Sequence, residues 1–476
     1  MENNIQVTPS EHETVLEKNE ADTEGVLSGP ITRTTIKMSI PIFIAQILIF
    51  AYVMIDTLFI SMIDKNSSAL LAGTGLVYPI YMVVFNISTS LFVGLSSVAA
   101  RVIGQKNNVV IKKIADSAFV LSLIIGVITL VAGILFGKQA LQFLAGSQIT
   151  PEALQYGVDF FYYMLPCMVL LLFFNAFGGI LQGEGKANQV GLAMISSPVL
   201  NAILNPIFIF GLDMGVKGSG LASSIATAVP IIYFVFVLLN KKAQIPLTLN
   251  LANSSRNIIT EILRIGVPAS IGLFLINVST MILNNVVGSI SETAMNAWIL
   301  VSRTDQLFLI PATAIAMATI PMIGQNFGSG NHQRARNIFN ANLRLCLGVC
   351  IVLAVVYIIF APQVMGWFTN IPEVIDNSVR QVRLLAITSA GVAGITVIGS
   401  AFQATGRPAP NLINDVIRMV IISTPLLMVF FQITLTNMTP VYISLAVGNL
   451  LPFVIAYAWG RYHFKHLQSK AKSIQV

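Results

Sequence analysis

Twelve apolar stretches follow one another along this chain, each about 20 residues or longer, the length a helix needs to cross a hydrocarbon core of ~30 Å. They are read at 36–62, 69–98, 114–137, 156–182, 188–212 and 218–239, then at 260–287, 294–323, 337–360, 379–404, 411–432 and 440–461. In lipid every backbone N–H and C=O has to be satisfied inside its own segment or a closed barrel, so stretches of this length point to membrane-spanning helices. Composition agrees: 55% of residues are hydrophobic and 10% charged, with a mean hydropathy of +0.79, whereas soluble domains carry roughly 25% charged residues. The expected fold class is an all-α integral membrane protein.

The chain also repeats itself. I-G-Q-K at 103–106 returns as I-G-Q-N at 323–326, and L-Q-G-E-G-K-A at 181–187 as F-Q-A-T-G-R-P at 402–408. Gln105 to Gln325 spans 220 positions and Gln182 to Gln403 spans 221, so order and spacing are both kept. Repeated halves in a membrane chain suggest a transporter built around a central pathway. Six spans is an even number, so the second half enters the membrane as the first does, and the halves should be parallel repeats about an axis along the membrane normal. This divides the chain into an N-lobe (30–240), a polar linker (241–257) and a C-lobe (258–461). An acidic tail expected to be disordered (1–29) precedes them and a basic tail (462–476) follows.

Basic residues sort to one side. Arg101, Lys106, Lys112 and Lys113 follow the second span, Lys241, Lys242, Arg256 and Arg264 lie around the linker, and Arg334, Arg336 and Arg344 follow the eighth. Arg461, Lys465, Lys470 and Lys472 follow the last, while the opposite loops hold little more than Lys65, Lys138 and Lys217. By the positive-inside rule both termini are cytoplasmic, in a multi-pass protein of the cytoplasmic (inner) membrane. The net charge of +7 reads as this orientation signal, and no nucleic-acid partner is expected.

Cys167, Cys346 and Cys350 stand in apolar context and read as core fillers. His12, His332, His463 and His466 fall in tails or polar loops, and no P-loop, His/Cys cluster or nucleophile elbow occurs. These absences argue against an enzyme and against a resident cofactor.

The intramembrane polar residues carry the functional argument, because an ionisable group in a span is costly. Asp56, in A-Y-V-M-I-D-T-L-F-I-S, has no basic residue within a helical turn and lies about 12 Å from the outer end of its span. Such a carboxylate could be neutralised by a proton or by a sodium ion; a purely structural aspartate is the bland alternative. Asn201 and Asn205 are four apart, hence on one helix face, and Asn175, Ser223 and Thr227 add neutral oxygens. Together they are a candidate hard-cation cage, with interhelical hydrogen bonding the alternative. In the second half, Arg303 and Asp305 diverge on their helix, so each is expected to pair with a neighbouring span. Asp415 and Arg418, three apart, are expected to pair locally. Arg380 and Arg383 snorkel, and Pro41 and Pro268 open the first and seventh spans as kinks or bending points.

Over residues 31–461 the chain resembles the multidrug and toxic compound extrusion (MATE) transporters, specifically the archaeal and damage-inducible-type prokaryotic branch. The resemblance rests on M-S-I-P (38–41), the Asp-centred first span, A-A-R-V-I-G-Q (99–105), L-Q-G-E-G-K (181–186) and N-A-I-L-N-P-I-F-I (201–209). S-R-T-D-Q-L-F-L-I-P-A (302–312) and M-I-G-Q-N-F-G-S-G-N (322–331) extend it. It implies two six-helix lobes in a V and drug efflux coupled to inward proton or sodium flow. Asp56 would be the coupling aspartate, Pro41 the bending proline, and Asn201 and Ser223 polar members of the N-lobe cation site. Arg303 and Asp305 fit that branch's Arg-x-acid pattern in the eighth span. Asn205 departs, since relatives of this type commonly carry Asp there, and an amide cannot titrate.

The resulting expectation is a monomeric secondary antiporter, embedded among membrane lipids, that exports amphipathic, cationic drugs or toxic organic compounds for H+ or Na+. Sodium, if used, would sit at Asp56, Asn201, Asn205 and Ser223. A lipid or lipid-linked-sugar flippase is the rival, and it should show more cationic side chains facing the cavity. A membrane-embedded enzyme is the rival from another class and lacks a catalytic set.

Overall fold

The computed structural model describes residues 25–64, 68–146, 149–239, 243–433 and 438–467. The acidic residues from Glu2 to Glu24, together with Lys65, Lys241, Lys242, Lys470 and Lys472, lie outside these. Twelve helices are long and apolar enough to cross a membrane. In the first half they are α1 (Ile31–Ile63), α2 (Ser68–Gly104), α3 (Asn108–Ala145), α4 (Pro151–Gly183), α5 (Ala187–Pro206, continued by a π turn at Ile207–Gly211) and α6 (Val216–Leu239). In the second they are α7 (Arg256–Ile290), α8 (Glu292–Gly328), α9 (His332–Gly366), α10 (Pro372–Ala404), α11 (Ala409–Val416, a π turn at Ile417–Ser423, then Thr424–Ile433) and α12 (Thr439–Lys465). Many helices outrun their apolar spans because polar caps set their starts. The side chains of Asn107, Thr150, Ser291 and Asn331 each accept an otherwise orphaned N–H of the first turn.

The two halves pack by one plan. α2 lies on α4, α3 on α4, α4 on α6 and α1 on α5; α8 and α10, α9 and α10, α10 and α12, and α7 and α11 repeat these pairings. The first helix of each half departs from a clean division into lobes. Met38 and Ile42 of α1 are buried in the second half's core with Ile338, Phe339 and Phe402, and Ile258, Ile262 and Ile265 of α7 are buried in the first half's core with Leu95, Phe177 and Phe234. Each lobe therefore holds the start of the other's leading helix.

The lobes meet at the end that carries the basic residues, through the repeated motifs. Gln325 Nε2 donates to Gly183 O at 2.9 Å, Gln182 Nε2 to Met317 O at 2.9 Å, and Ser97 Oγ to Gln403 O at 2.5 Å. Backbones touch here: a Cβ on Gly104 would stand 2.1 Å from Gln325 O, and one on Gly328 2.1 Å from Arg101 O. Arg101 also pairs with Glu261 of α7 at 3.0 Å. Gly185 and Gly406, the shared glycine of the second motif, have φ of 88° and 73°, which side-chain-bearing residues rarely adopt.

One segment expected in the disordered tail is ordered at this end, and the linker packs beside it. Residues 25–28, placed in the disordered tail, form a helical turn. Val26 is an apolar side chain after an acidic run, and it is buried against Gly185 while Asn326 Nδ2 donates to its carbonyl at 3.2 Å. Arg334 donates to Gly29 O. The linker is likewise docked. Ile245 and Leu247 are buried in the first half's core, Ile245 N donates to Glu184 Oε1 at 2.8 Å, and Glu184 is itself paired with buried Lys186 at 2.9 Å. Asp116 of α3 accepts from Thr248 N, Thr248 Oγ1 and Asn253 Nδ2 at 3.0, 2.7 and 2.6 Å.

Hydrogen bonds to an ionised group are worth ~1.5–3 kcal/mol each. Asp116→Ala should therefore free the linker and speed its limited proteolysis by roughly tenfold or more, with helix content by circular dichroism unchanged. An unchanged cleavage rate would show that apolar burial alone holds it.

Candidate functional site

Asp56 comes to α5 and α6 on the α1 face that also bears Tyr52, one helical turn earlier. Its Oδ1 accepts from Asn205 Nδ2 at 2.8 Å and from Ser219 Oγ at 3.1 Å. Asn205 Nδ2 also donates to Asn201 Oδ1 at 2.6 Å, and Asn201 Nδ2 to Ser223 Oγ at 2.9 Å. The Tyr52 side chain lies beside Ser223 on the cavity wall. A polar line thus runs Asp56–Asn205–Asn201–Ser223–Tyr52 through otherwise apolar helices. Asn201 and Asn205 are buried, as their spacing of four requires when the α5 face is turned to α1. Pro206, lacking an N–H, follows at once, and α5 opens into its π turn directly after the site.

Within the line, Asn205 Oδ1 is buried and has no protein partner among the described residues. A buried amide oxygen left unpaired costs ~1–3 kcal/mol, so it stands ready to receive a donor. It could accept the proton of a neutral Asp56 or coordinate a cation. For sodium, Asp56 and Asn205 Oδ1 are the available oxygens; those of Asn201 and Ser223 are occupied by amide donors that would have to turn. No group of three or more His, Cys, Asp or Glu among the described residues could hold a metal ion.

The other sequence candidates scatter. Asn175 Nδ2 bonds Ser88 Oγ at 3.2 Å and Leu171 O at 3.1 Å, facing the central cavity and away from Asp56. Pro41 packs against Gly191 of α5, where a Cβ would meet Pro41 Cβ at 2.5 Å. Arg303 is exposed, and neither it nor Asp305 enters an ion pair among the described residues, so the expected pairing with neighbouring spans is absent. Asp415 and Arg418 make no ion pair within 4.0 Å, although they lie close enough to interact electrostatically. Asp415 Oδ2 takes Asn411 Nδ2 at 3.3 Å and lies over Gly272, while Arg418 Nη2 donates to Asn449 Oδ1 at 3.3 Å. Both side chains face the central cavity, where Asn411 and Asn449 take the bonds that a direct pair would have used. The cysteines are buried and free, as core fillers would be.

Ser219 and Tyr52 were missed from sequence. The available signal was the spacing: Ser219 is four before Ser223 and Tyr52 four before Asp56, so each shares a face with a residue already singled out. Ser219→Ala removes one of two donors to Asp56 Oδ1 and leaves Asn205. Transport should fall severalfold without being lost, a hydrogen bond to a charged group being worth ~1.5–3 kcal/mol. Wild-type transport rates in that variant would exclude Ser219 from the site.

Between the lobes lies a cavity of about 590 Å³, the size of one drug-like ligand. Aromatic residues of the first half (Tyr81, Phe85, Phe92, Phe174) face Leu273, Ile276, Thr396 and Arg418 of the second. Tyr52, Asn201 and Ser223 belong to its wall, so the polar line from Asp56 ends at the cavity surface.

Comparison with known proteins accords with this architecture. The MatE family pattern matches residues 41–207 and 268–429. An FAD transporter from Shewanella oneidensis is 22% identical over 440 residues, covering 92% of this chain and 96% of that one. The multidrug export protein MepA of Staphylococcus saprophyticus is 24% identical over 385 residues, 81% of this chain and 84% of that one. Among solved structures, the outward-facing conformation of a multidrug resistance MATE family transporter of the MOP superfamily superposes with a TM-score of 0.85 at 25% identity, over 93% of this chain and 98% of that one.

Proposed function

Because the chain belongs to the MatE family of membrane transporters, we propose that it exports amphipathic organic compounds in exchange for a monovalent cation that neutralises Asp56. The observation that carries this is the position of α1. Its far half holds Asp56 against Asn205 and Ser219 in the first half's bundle. Its near half, around Met38 and Ile42, is buried in the second half's core, and Thr35 Oγ1 donates to Asn342 Oδ1 there at 2.6 Å. A change of charge at Asp56 therefore acts on a helix anchored in both lobes. Pro41, between the two anchorages and without an N–H donor, is the natural point for that helix to bend.

The cycle follows from charge. With the basic end on the cytoplasmic side, the glycine seam is the closed inner gate and the cavity is the substrate's resting place. Ionised Asp56 is held by two hydrogen bonds. Neutralisation removes the charge that orients Asn205 and Ser219, and the rearrangement passes along Asn201 and Ser223 to the cavity wall, loosening the hold on substrate. Asn205 contributes no second charge, so one monovalent cation completes neutralisation at this site. Protonation is the favoured reading, since the Asn201 and Ser223 oxygens that a sodium ion would need are occupied by amide donors. The unpaired Asn205 Oδ1 is the specific observation that favours sodium instead.

Export by the multidrug relatives supports the substrate class. The test is uptake of a fluorescent amphipathic drug into everted membrane vesicles with ΔpH and ΔNa+ imposed separately. Uptake driven by ΔpH alone is expected. Uptake driven only by ΔNa+ replaces the proton with sodium, and uptake indifferent to both defeats antiport.

A further inference from the structure

We propose that Arg418 is a binding site for the carboxylate or phosphate group of an acidic amphipathic substrate, held on the C-lobe wall of the central cavity. This rests on reading that cavity as the place where substrate lies.

A guanidinium in the middle of a membrane-spanning helix is among the costliest side chains to place, and it persists where it is paired or faces a wet cavity. Arg418 makes no ion pair within 4.0 Å among the described residues, and Asp415 on the same cavity wall is the opposite charge near it. Arg418 has five N–H donors, of which one is used, at 3.3 Å to Asn449 Oδ1. Asp415 is engaged by Asn411. Asn449 is fixed in turn, its Nδ2 donating to Thr388 Oγ1 at 3.2 Å, so its oxygen is held toward the guanidinium. Asn411, Asp415 and Arg418 share the α11 face that lines the cavity.

The unused planar fork suits a carboxylate or phosphate, which it can bind through two parallel hydrogen bonds. Phe85, Phe92 and Phe174 on the opposite wall supply an apolar bed for an attached ring system. The site therefore selects ring-bearing acids over the purely cationic amphipaths expected from sequence.

A matched pair of probes isolates the acidic group: riboflavin and riboflavin 5′-phosphate share one ring and differ by a phosphate. Quenching of flavin fluorescence is titrated with the purified full-length protein. Wild type should bind the phosphate ester roughly tenfold or more tightly than riboflavin, the worth of one good charge-assisted pair. R418Q should bring the two affinities together while riboflavin binding stays. R418K should retain part of the preference, and N449A should lower it severalfold.

Equal affinities in wild type, no measurable binding of the ester, or an undiminished preference in R418Q would overturn the assignment. Should R418Q fail to purify as a monodisperse species, N449A and R418K decide: an unchanged preference in N449A together with its complete loss in R418K rejects the fork. Acid selection without gradient-driven export would keep this site and remove the antiport reading; gradient-driven export without acid selection would do the reverse.

Discussion

Asp56→Asn is expected to reduce gradient-driven export to the level of protein-free vesicles while the protein remains inserted and folded. The substitution is nearly isosteric. An amide at position 56 can still meet Ser219 and, with its own amide turned, Asn205, so the packing of α1 on α5 and α6 survives. What it removes is the only carboxylate in the polar line from Asp56 to Tyr52. Without a group that alternates between charged and neutral, the ion gradient has no differential affinity for the two conformations, and a ligand that binds both equally shifts nothing. Substrate binding in the cavity should be weakened, as in the neutralised wild type, without being lost. Full export by Asp56→Asn would place the coupling site elsewhere.

The second large effect concerns the glycine seam. Gly104→Ala puts a Cβ 2.1 Å from Gln325 O and 2.9 Å from the Gln325 carbonyl carbon, both backbone atoms that cannot swing aside. Gly328→Ala does the same against Arg101 O. Overpacking of this kind costs ~1–3 kcal/mol per site, enough to lower the population of the closed seam by roughly tenfold or more. Spin labels at the exposed positions Asn108 and Gln333, both at the basic end, should report a longer and broader distance in either variant, and substrate should leak without an ion gradient. An unchanged distance distribution in the double variant would mean that the two backbones are not in contact in the membrane.

The fold was legible because lipid leaves so few choices. Apolar run length set the twelve helices, and the two motifs recurring at one offset set the duplication. The site was legible for the same energetic reason: an aspartate in a span demands partners, and Asn201 and Asn205, four apart, offered a single face. Ser219 and Tyr52 escaped because serine and tyrosine are cheap in a span and carry no such demand. The seam motifs announced themselves as repeats, yet periodicity along one helix says nothing about which faces of distant helices meet, so their role at the lobe contact appeared only in three dimensions. The spacing of three puts Asp415 and Arg418 on one face, but it does not show that Asn411 and Asn449 compete for their polar atoms. Val26 shows the limit of composition: one large apolar side chain at the end of an acidic run is enough to dock a turn where a glycine leaves room.

Substrate and cation are expected to move as one exchange through Asp56, and coupling is reciprocal. Vesicles containing the purified protein, loaded with substrate and free of any initial ion gradient, should therefore drive a cation inward as substrate runs out, recorded with interior pH and sodium indicators. Wild type is predicted to take up protons in step with substrate efflux, and Asp56→Asn to show no cation movement. Substrate efflux from wild type with no accompanying cation, or cation uptake that survives in Asp56→Asn, would contradict exchange through Asp56.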